Sequence, residues 1–305
     1  MKTGCDELYT KFKWGRRLDR LGLPEIDGRI LIEGMTVPKP IATSSFQHEG
    51  KTHSLTKNDQ HLSRKRWRNL HFRKCDLRDL AFFNCSFSNC VFERCDCRHQ
   101  GFWNSAVEQC NFFRSKLSSV AFGGTGLRPG SGSKNRFIDL VFDGCDFRYG
   151  AHSNELFSRC RFANCRFDAV NFNGAVFEDC QFEGKVYNTM FQACYSGLRR
   201  QGTQNSMARC NFTGADVSLC AFVGIDLNPD MFAKDNDVII LPKGPADWLE
   251  WGRRIDADNH QHKGTRWWID LKAEQSGAPT MTTRRDLAQF SDKEVDELIR
   301  ITKAP

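Results

Sequence analysis

Between residues 72 and 122 every fifth residue is apolar, and most are large: Phe72, Leu77, Phe82, Phe87, Phe92, Cys97, Phe102, Val107, Phe112, Leu117 and Phe122. The beat returns as Phe137, Phe142, Phe147, His152, Phe157, Phe162, Phe167, Phe172, Phe177, Phe182 and Tyr187, then as Phe212, Val217, Phe222, Leu227 and Phe232. Numbered modulo five, the phase holds across both gaps, and 19 of the 25 phenylalanines lie in this class. Two residues ahead of each member sits a smaller one. That place takes 11 of the 14 cysteines, such as Cys75, Cys85, Cys90 and Cys95, with Val120, Val170, Ala175 and Ala215 as alternatives. A five-residue period is neither the 3.6 of a helix nor the 2 of a plain strand. The small–x–large pair is a short alternation whose two side chains share one face, and so one core. The two remaining positions are rich in Gly, Asn, Ser, Asp and Arg, which suits an exposed corner.

This unit resembles that of the pentapeptide-repeat proteins, whose loose consensus is A(D/N)LXX. CNFTGADVSLCAFVGIDL at 210–227 and AVNFNGAVFEDCQFEGK at 169–185 carry it. The resemblance covers roughly 62–232. It implies an all-β solenoid, a right-handed quadrilateral β-helix with one pentapeptide per side and four per coil. At a strand spacing of about 4.8 Å that span would make a rod roughly 40 Å long.

The thiols have three readings: metal ligands, disulfides, or small apolar core residues. Their spacing is set by the five-residue beat and not by the C-x-x-C spacings of zinc sites with partner histidines. Free cysteine packs as a small hydrophobe with a weak donor, which fits a narrow inner column beside phenylalanine. The core reading is therefore preferred, with reduced thiols and a cytoplasmic location. In keeping with this, MKTGCDELYTKFKWGRRLDRLG has no apolar signal-peptide core, and no run of apolar residues is long enough to span a membrane.

Two segments spoil the motif. FGGTGLRPGSGSKNRF at 122–137, with Arg128, Lys134 and Arg136, reads as a projecting loop near 123–136. TMFQACYSGLRRQGTQNSM at 189–207, with Arg199 and Arg200, reads as a second loop near 188–207. Loops on a rigid scaffold are common places for binding residues. HSNEL puts His152 at a large inward position and Glu155 at a small one, where a local bulge is expected to turn both outward. Gln100 and Lys185 at small inward positions are read as similar distortions or corners. HLSRKRWRNLHFRKCDLR at 61–78 gathers Arg64, Lys65, Arg66, Arg68, Arg73, Lys74 and Arg78 against Asp76 alone. It reads as a basic first coil, and basic residues among aromatics are a candidate contact for a protein partner or for nucleic acid.

The repeat divides the chain. Residues 1–61 form an N-terminal extension: an amphipathic helix using Leu8, Phe12, Leu18 and Leu21, then a linker with Pro38, Pro40 and a Ser/Thr/His run. Residues 233–305 form a Trp-rich C-terminal region with DVIIL as a strand, PADWLEWGRRI as a helix, and a last helix opened by a Ser291/Glu294 capping box. Solenoid ends must be covered, so this region is expected to cap the rod and to offer a surface to a partner or to a second copy. Asp258, His260 and His262 are too few for a metal site, and no P-loop, dinucleotide fingerprint or nucleophile elbow occurs.

The expected function is a non-enzymatic protein-binding scaffold, an adaptor or inhibitor of the bacterial cytosol without cofactor or metal. The family resemblance also implies DNA gyrase or topoisomerase IV as partners, through mimicry of DNA. That mimicry needs an acidic rod, whereas residues 62–232 carry 22 Lys/Arg against 16 Asp/Glu, a difference of +6. Direct nucleic-acid binding through 61–78 is the alternative from a different class.

Overall fold

The computed structural model describes residues 5–15, 18–38, 41–48, 51–57, 60–122, 135–153, 155–192, 207–223, 225, 227–232, 238–257, 264–275 and 280–303. Its central part is a stack of short parallel strands in four columns. One is a sheet running from Glu25–Ile26 and Arg29–Glu33 up to Asn211–Asp216, parallel after its first pair. A second runs from Arg66–Arg68 to Met207–Ala208. A third contains His61–Ser63, Ala81–Phe83 and Gly101–Trp103, and further up Ala151–Ser153 to Ala221–Val223. The fourth is a row of single bridges, Thr36 to Asp76 to Asp96 to Lys116 to Asp146 to Arg166. Phe72 pairs with Phe92 and Phe92 with Phe112, the 20-residue coil expected from four pentapeptides.

The inward rings stack along each column. Phe162 lies between Phe142 and Phe182, at centroid distances of 5.0 and 4.9 Å with planes 8° and 9° apart. Rings of neighbouring columns meet edge to face, as Phe162 does with Phe157 and Phe167. Such geometry adds roughly 0.5–1.5 kcal/mol per pair beyond the area buried.

The corner after most of the large residues turns through the left-handed region. Arg64, Asn69, Lys74, Asp79, Asn84, Asn89, Arg94, His99 and Asn104 have φ between 49° and 62°. Glycine fills the same place at Gly144 and Gly174. L-residues visit this region at a cost, with Asn, Asp and Gly suffering least, which explains the corner composition.

Twelve cysteines of the rod, from Cys75 to Cys220, are buried and free. They also work as donors. Cys75 donates Sγ–H to Ile32 O at 3.3 Å, Cys145 to Phe112 O at 3.3 Å and Cys160 to Phe137 O at 3.3 Å, each reaching the preceding coil. Ser115, Asn135 and Gln100 do the same from equivalent places, to Phe92 O, Phe102 O and Leu77 O. Many members of the column thus carry a donor that meets a carbonyl of the preceding coil, while Val120, Val170, Ala175 and Ala215 fill the place without one. Gln100 is accordingly an inward, satisfied residue and not a distortion.

The phase does slip, and the ladder between Gln181–Lys185 and Asn211–Asp216 shifts register as well. After Phe182 the next inward residue is Val186, and Tyr187 is only half-buried. Val170 pairs with Thr189 and Phe172 with Phe191, a spacing one short of 20. Thr189 takes the small inward place, Phe191 the large one, and Lys185 is exposed. The strand Thr189–Gln192 occupies the start of the segment read as a loop; the rest, with Arg199 and Arg200, lies outside the described residues.

At the N-terminal end helix α1, Cys5–Trp14, covers the first coil. Phe12 stacks on Trp67 at 4.7 Å and meets Phe72 edge-on, and Trp67 Nε1 donates to Phe12 O at 3.2 Å. The coil itself begins before residue 62. Ile32 pairs with Phe72, and Val37 N bonds Asp76 O. Within the segment read as linker, Ile41–His48 pairs antiparallel with Lys51–Lys57 between this partial coil and the next.

At the other end a strand pair, Val238–Leu241 with Thr280–Thr283, carries helices α2 (Pro245–Arg254), α3 (Thr265–Gln275) and α4 (Asp292–Thr302). They enclose a second core around Trp248, Trp251, Leu287, Leu298 and Ile301. Trp267, by contrast, is exposed. Met281 joins the rod's core, Leu219 N bonds Asp286 Oδ1, and Arg285 pairs with Asp216 at 3.1 Å. This region therefore packs onto the last coil.

Candidate functional site

The basic segment turns through the first full coil, and the structure divides its residues among different tasks. Lys65 is half-buried, with Nζ on Trp14 O at 3.3 Å, and so ties down the C-terminal end of α1. Arg73 pairs side-on with Glu33 through two bonds of 3.0 Å, which hold the Glu33 carboxyl below its ordinary range. Arg78 is bound to Asp76. Arg64 and Lys74 are corner residues at φ 56° and 51°, exposed and spaced along the outside. Arg136 lies higher in the column of Arg66, 3.7 Å from Glu108. Arg128, Lys134, Arg199 and Arg200 fall outside the described residues, as do Asp258, His260 and His262.

Arg66 and Arg68 are brought together. They flank the inward Trp67 on one three-residue strand, so the pleat sends both outward on the same face. Both line a cleft of about 400 Å³ together with Leu18 and Asp19 of the 310 turn Leu18–Leu21 and with Glu25, Gly28 and Ile30 of the Glu25–Ile26/Arg29–Glu33 hairpin, so two carboxylates and two guanidinium groups share it. Asp27 and Gly28, at φ 50° and 71°, make the tight turn of that hairpin. Arg66 alternating with Arg68 was legible; the wall opposite was not, because residues 18–30 show no five-residue beat.

Elsewhere the rod's arginines are mostly engaged by carboxylates. Arg78 with Asp76, Arg98 with Asp96 and Arg148 with Asp146 form an Asp-x-Arg ladder on the fourth column. Arg159 with Asp139, Arg161 with Glu183 and Arg209 with Asp179 bridge successive coils. Among the described residues neither Arg66 nor Arg68 forms an ion pair.

His152 and Glu155 face inward, not outward. Their side chains are fully buried, with Nδ1 3.6 Å from Oε1. His152 fills a phenylalanine place, stacked between Phe122 at 5.2 Å and Phe172 at 4.5 Å. Burial lowers its pKa to about 3, which keeps the ring neutral. The neutral ring has nearly the shape of a phenyl ring, so stacking retains it where charge would not be tolerated.

The family model for pentapeptide repeats matches the chain in 8 copies, with residues 156–184 matched. The chain therefore contains pentapeptide repeats. Among solved structures it is similar to HetL, a pentapeptide repeat protein involved in heterocyst differentiation regulation from the cyanobacterium Nostoc sp., at 11% identity over 70% of this chain and 91% of that chain, TM-score 0.36. It is also similar to QnrB1, a plasmid-mediated fluoroquinolone resistance protein, at 14% identity over 54% of this chain and 82% of that one, TM-score 0.27. No curated protein sequence matches it. Among the described residues no helix is long and apolar enough to cross a membrane.

Proposed function

We propose that this chain is a non-enzymatic, cytoplasmic protein-interaction scaffold, an adaptor or inhibitor built on a right-handed quadrilateral rod. Its working organisation is an N-terminal part to residue 61, which adds a partial coil at Arg29–Val37, the repeat at 62–232 and a capping, partner-facing part at 233–305. One observation carries this reading. The stacked rings and the small donor residues are committed to the interior, so every outward side chain is held on a fixed grid with a 20-residue coil. A grid of that kind presents side chains to a large partner; it does not converge them on a small substrate.

The family resemblance supplies type II topoisomerases as one partner class, and the basic excess of the rod weighs against DNA mimicry as the means of contact. A tagged pull-down from bacterial lysate, with and without nuclease, read by mass spectrometry, tests the reading. A protein complex that survives nuclease is the expected result, and gyrase or topoisomerase IV in it would settle the narrower reading. Recovery that vanishes with nuclease would replace the scaffold reading with nucleic-acid binding.

A further inference from the structure

We infer that Glu155 is a neutral carboxylic acid inside the rod at neutral pH, its carboxyl O–H donating to Phe122 O, so that rising pH destabilises the rod from within. The small inward places of the second column carry the inference. Cys85 donates Sγ–H to Leu62 O at 3.3 Å, Ser105 donates Oγ–H to Phe82 O at 3.2 Å and Asn135 donates Nδ2–H to Phe102 O at 2.6 Å. Each acceptor belongs to the third column, one coil below. Glu155 is the next member of the series, since Val107 pairs with Phe137 and Phe137 with Phe157. Its acceptor in the series is Phe122 O, on the residue stacked beneath His152. A carboxylate has no proton to give there and would set two acceptors against each other; a carboxylic acid donates as its neighbours in the column do.

The surroundings favour the neutral form. The Glu155 side chain is fully buried, and Asn135 below it and Ala175 above it are buried and uncharged. Ala175 shows that the place can go without a donor, whereas an ionised carboxylate gives up its hydration to enter it. Of the strands around it, Arg136–Ile138 and Val176–Glu178 turn Arg136 and Glu178 outward, and Leu156–Ser158 and Val170–Asn173 carry no titratable side chain. Among the described titratable groups on the neighbouring strands, His152 of Ala151–Ser153 faces it. That ring is neutral, and its Nδ1 lies 3.6 Å from Oε1, too far for a hydrogen bond.

In the unfolded chain a glutamate releases its proton at about pH 4.3, while the folded rod keeps it beyond neutral pH. The folded state then holds the extra proton, so rising pH favours unfolding, by about tenfold in the equilibrium constant per unit. His152 acts with the opposite slope and only below about pH 6.5, and thiols of the unfolded chain titrate at about 8.5. The test therefore measures urea unfolding of the full chain at about pH 6.5 and about pH 7.5, between those two titrations. Wild type is compared with Glu155→Gln, whose amide can donate as that of Asn135 does, and with Glu178→Gln as an outward control on the strand above. Relative to wild type, Glu155→Gln should gain about tenfold in the folded-to-unfolded ratio over that unit, and the control should not. In infrared spectra at the higher pH, wild type should show the carbonyl band of a protonated carboxylic acid, and Glu155→Gln should lack it. Absence of the band from wild type, or its persistence in Glu155→Gln, overturns the inference. Parallel pH profiles overturn it too, as does a Glu155→Gln protein that fails to fold, since the amide mimics the neutral acid and not the carboxylate.

Discussion

The buried histidine makes the stability of the rod depend on pH in a way that can be worked out. In the unfolded chain His152 titrates near 6.5, and in the folded chain burial holds it near 3. Between these values the unfolded state binds the proton and the folded state refuses it. Stability is thus fully present above about pH 6.5 and falls as pH drops toward 3, by roughly 1.4 kcal/mol per unit. At pH 5 the loss is about 2 kcal/mol. Other groups titrate in the same window, so the comparison should be with His152→Phe. That variant continues the Phe122 and Phe172 stack with a ring of similar size and removes the titration. Urea denaturation of both proteins from pH 8 to pH 5 is the assay. The difference in unfolding free energy between variant and wild type should be flat above about pH 7 and should grow by about 2 kcal/mol in the variant's favour by pH 5. Glu155, 3.6 Å away, stays in both proteins and contributes no difference of this shape unless it responds to the ring's charge. Parallel pH profiles for the two proteins would refute the reasoning and mean that His152 is not held neutral inside the stack.

Phe162→Ala should lower the unfolding free energy by about 3–5 kcal/mol, because the ring is fully buried between two stacked neighbours. Arg148→Ala, which removes a surface pair with Asp146, should cost under about 1 kcal/mol, and equal effects in urea melts would contradict the inward and outward assignment. At the corner Arg94, with φ 51°, Arg94→Val should destabilise by about 1–3 kcal/mol while Arg94→Gly should be neutral or slightly stabilising, as read from melting midpoints.

The parts of the fold that repeat were legible because one constraint acts on every coil. A ring of fixed size, a small residue beside it and a left-handed corner recur wherever the chain makes a quarter-turn, so phenylalanine, cysteine and Asn/Asp/Gly/Arg fall on a common beat. Helix α1 with Leu8 and Phe12 and the Ser291/Glu294 box were legible for the ordinary helical reasons of periodicity and capping, whereas Leu18 and Leu21, read into the same helix, lie in a separate 310 turn beyond Trp14. Ile32, Met35 and Val37 lie on the same beat as the later coils and are buried like them, but the hairpin at 41–57 separates them from the main run and hides the continuity. The wall of the candidate cleft was not legible, since it is made by backbone turns at residues 18–30 whose meeting with Arg66 and Arg68 depends on the path of the chain and not on any local pattern.

The register slip between Phe182 and Phe191 shows what a closer reading of the corners yields. The beat assigns Thr189 to the corner class. Within 62–192 the described members of that class that keep the beat are all free of β-branching, from Arg64 through Asp179. A β-branched residue at positive φ is sterically unfavourable. The chain avoids that conformation by closing the preceding turn one residue early. Asn188 takes the corner at φ 49°, Thr189 moves inward and donates Oγ1–H to Tyr187 O at 3.1 Å, and Phe191 supplies the ring. The bulge expected at His152 does not form. A bulge was expected there because a charged group cannot be buried alone, yet the site needs only a flat ring, and imidazole without its second proton is one. In both places the requirement of the position overrides the apparent category of the residue: a corner rejects a branched side chain although it is polar, and a stack accepts a titratable one because it can be neutral.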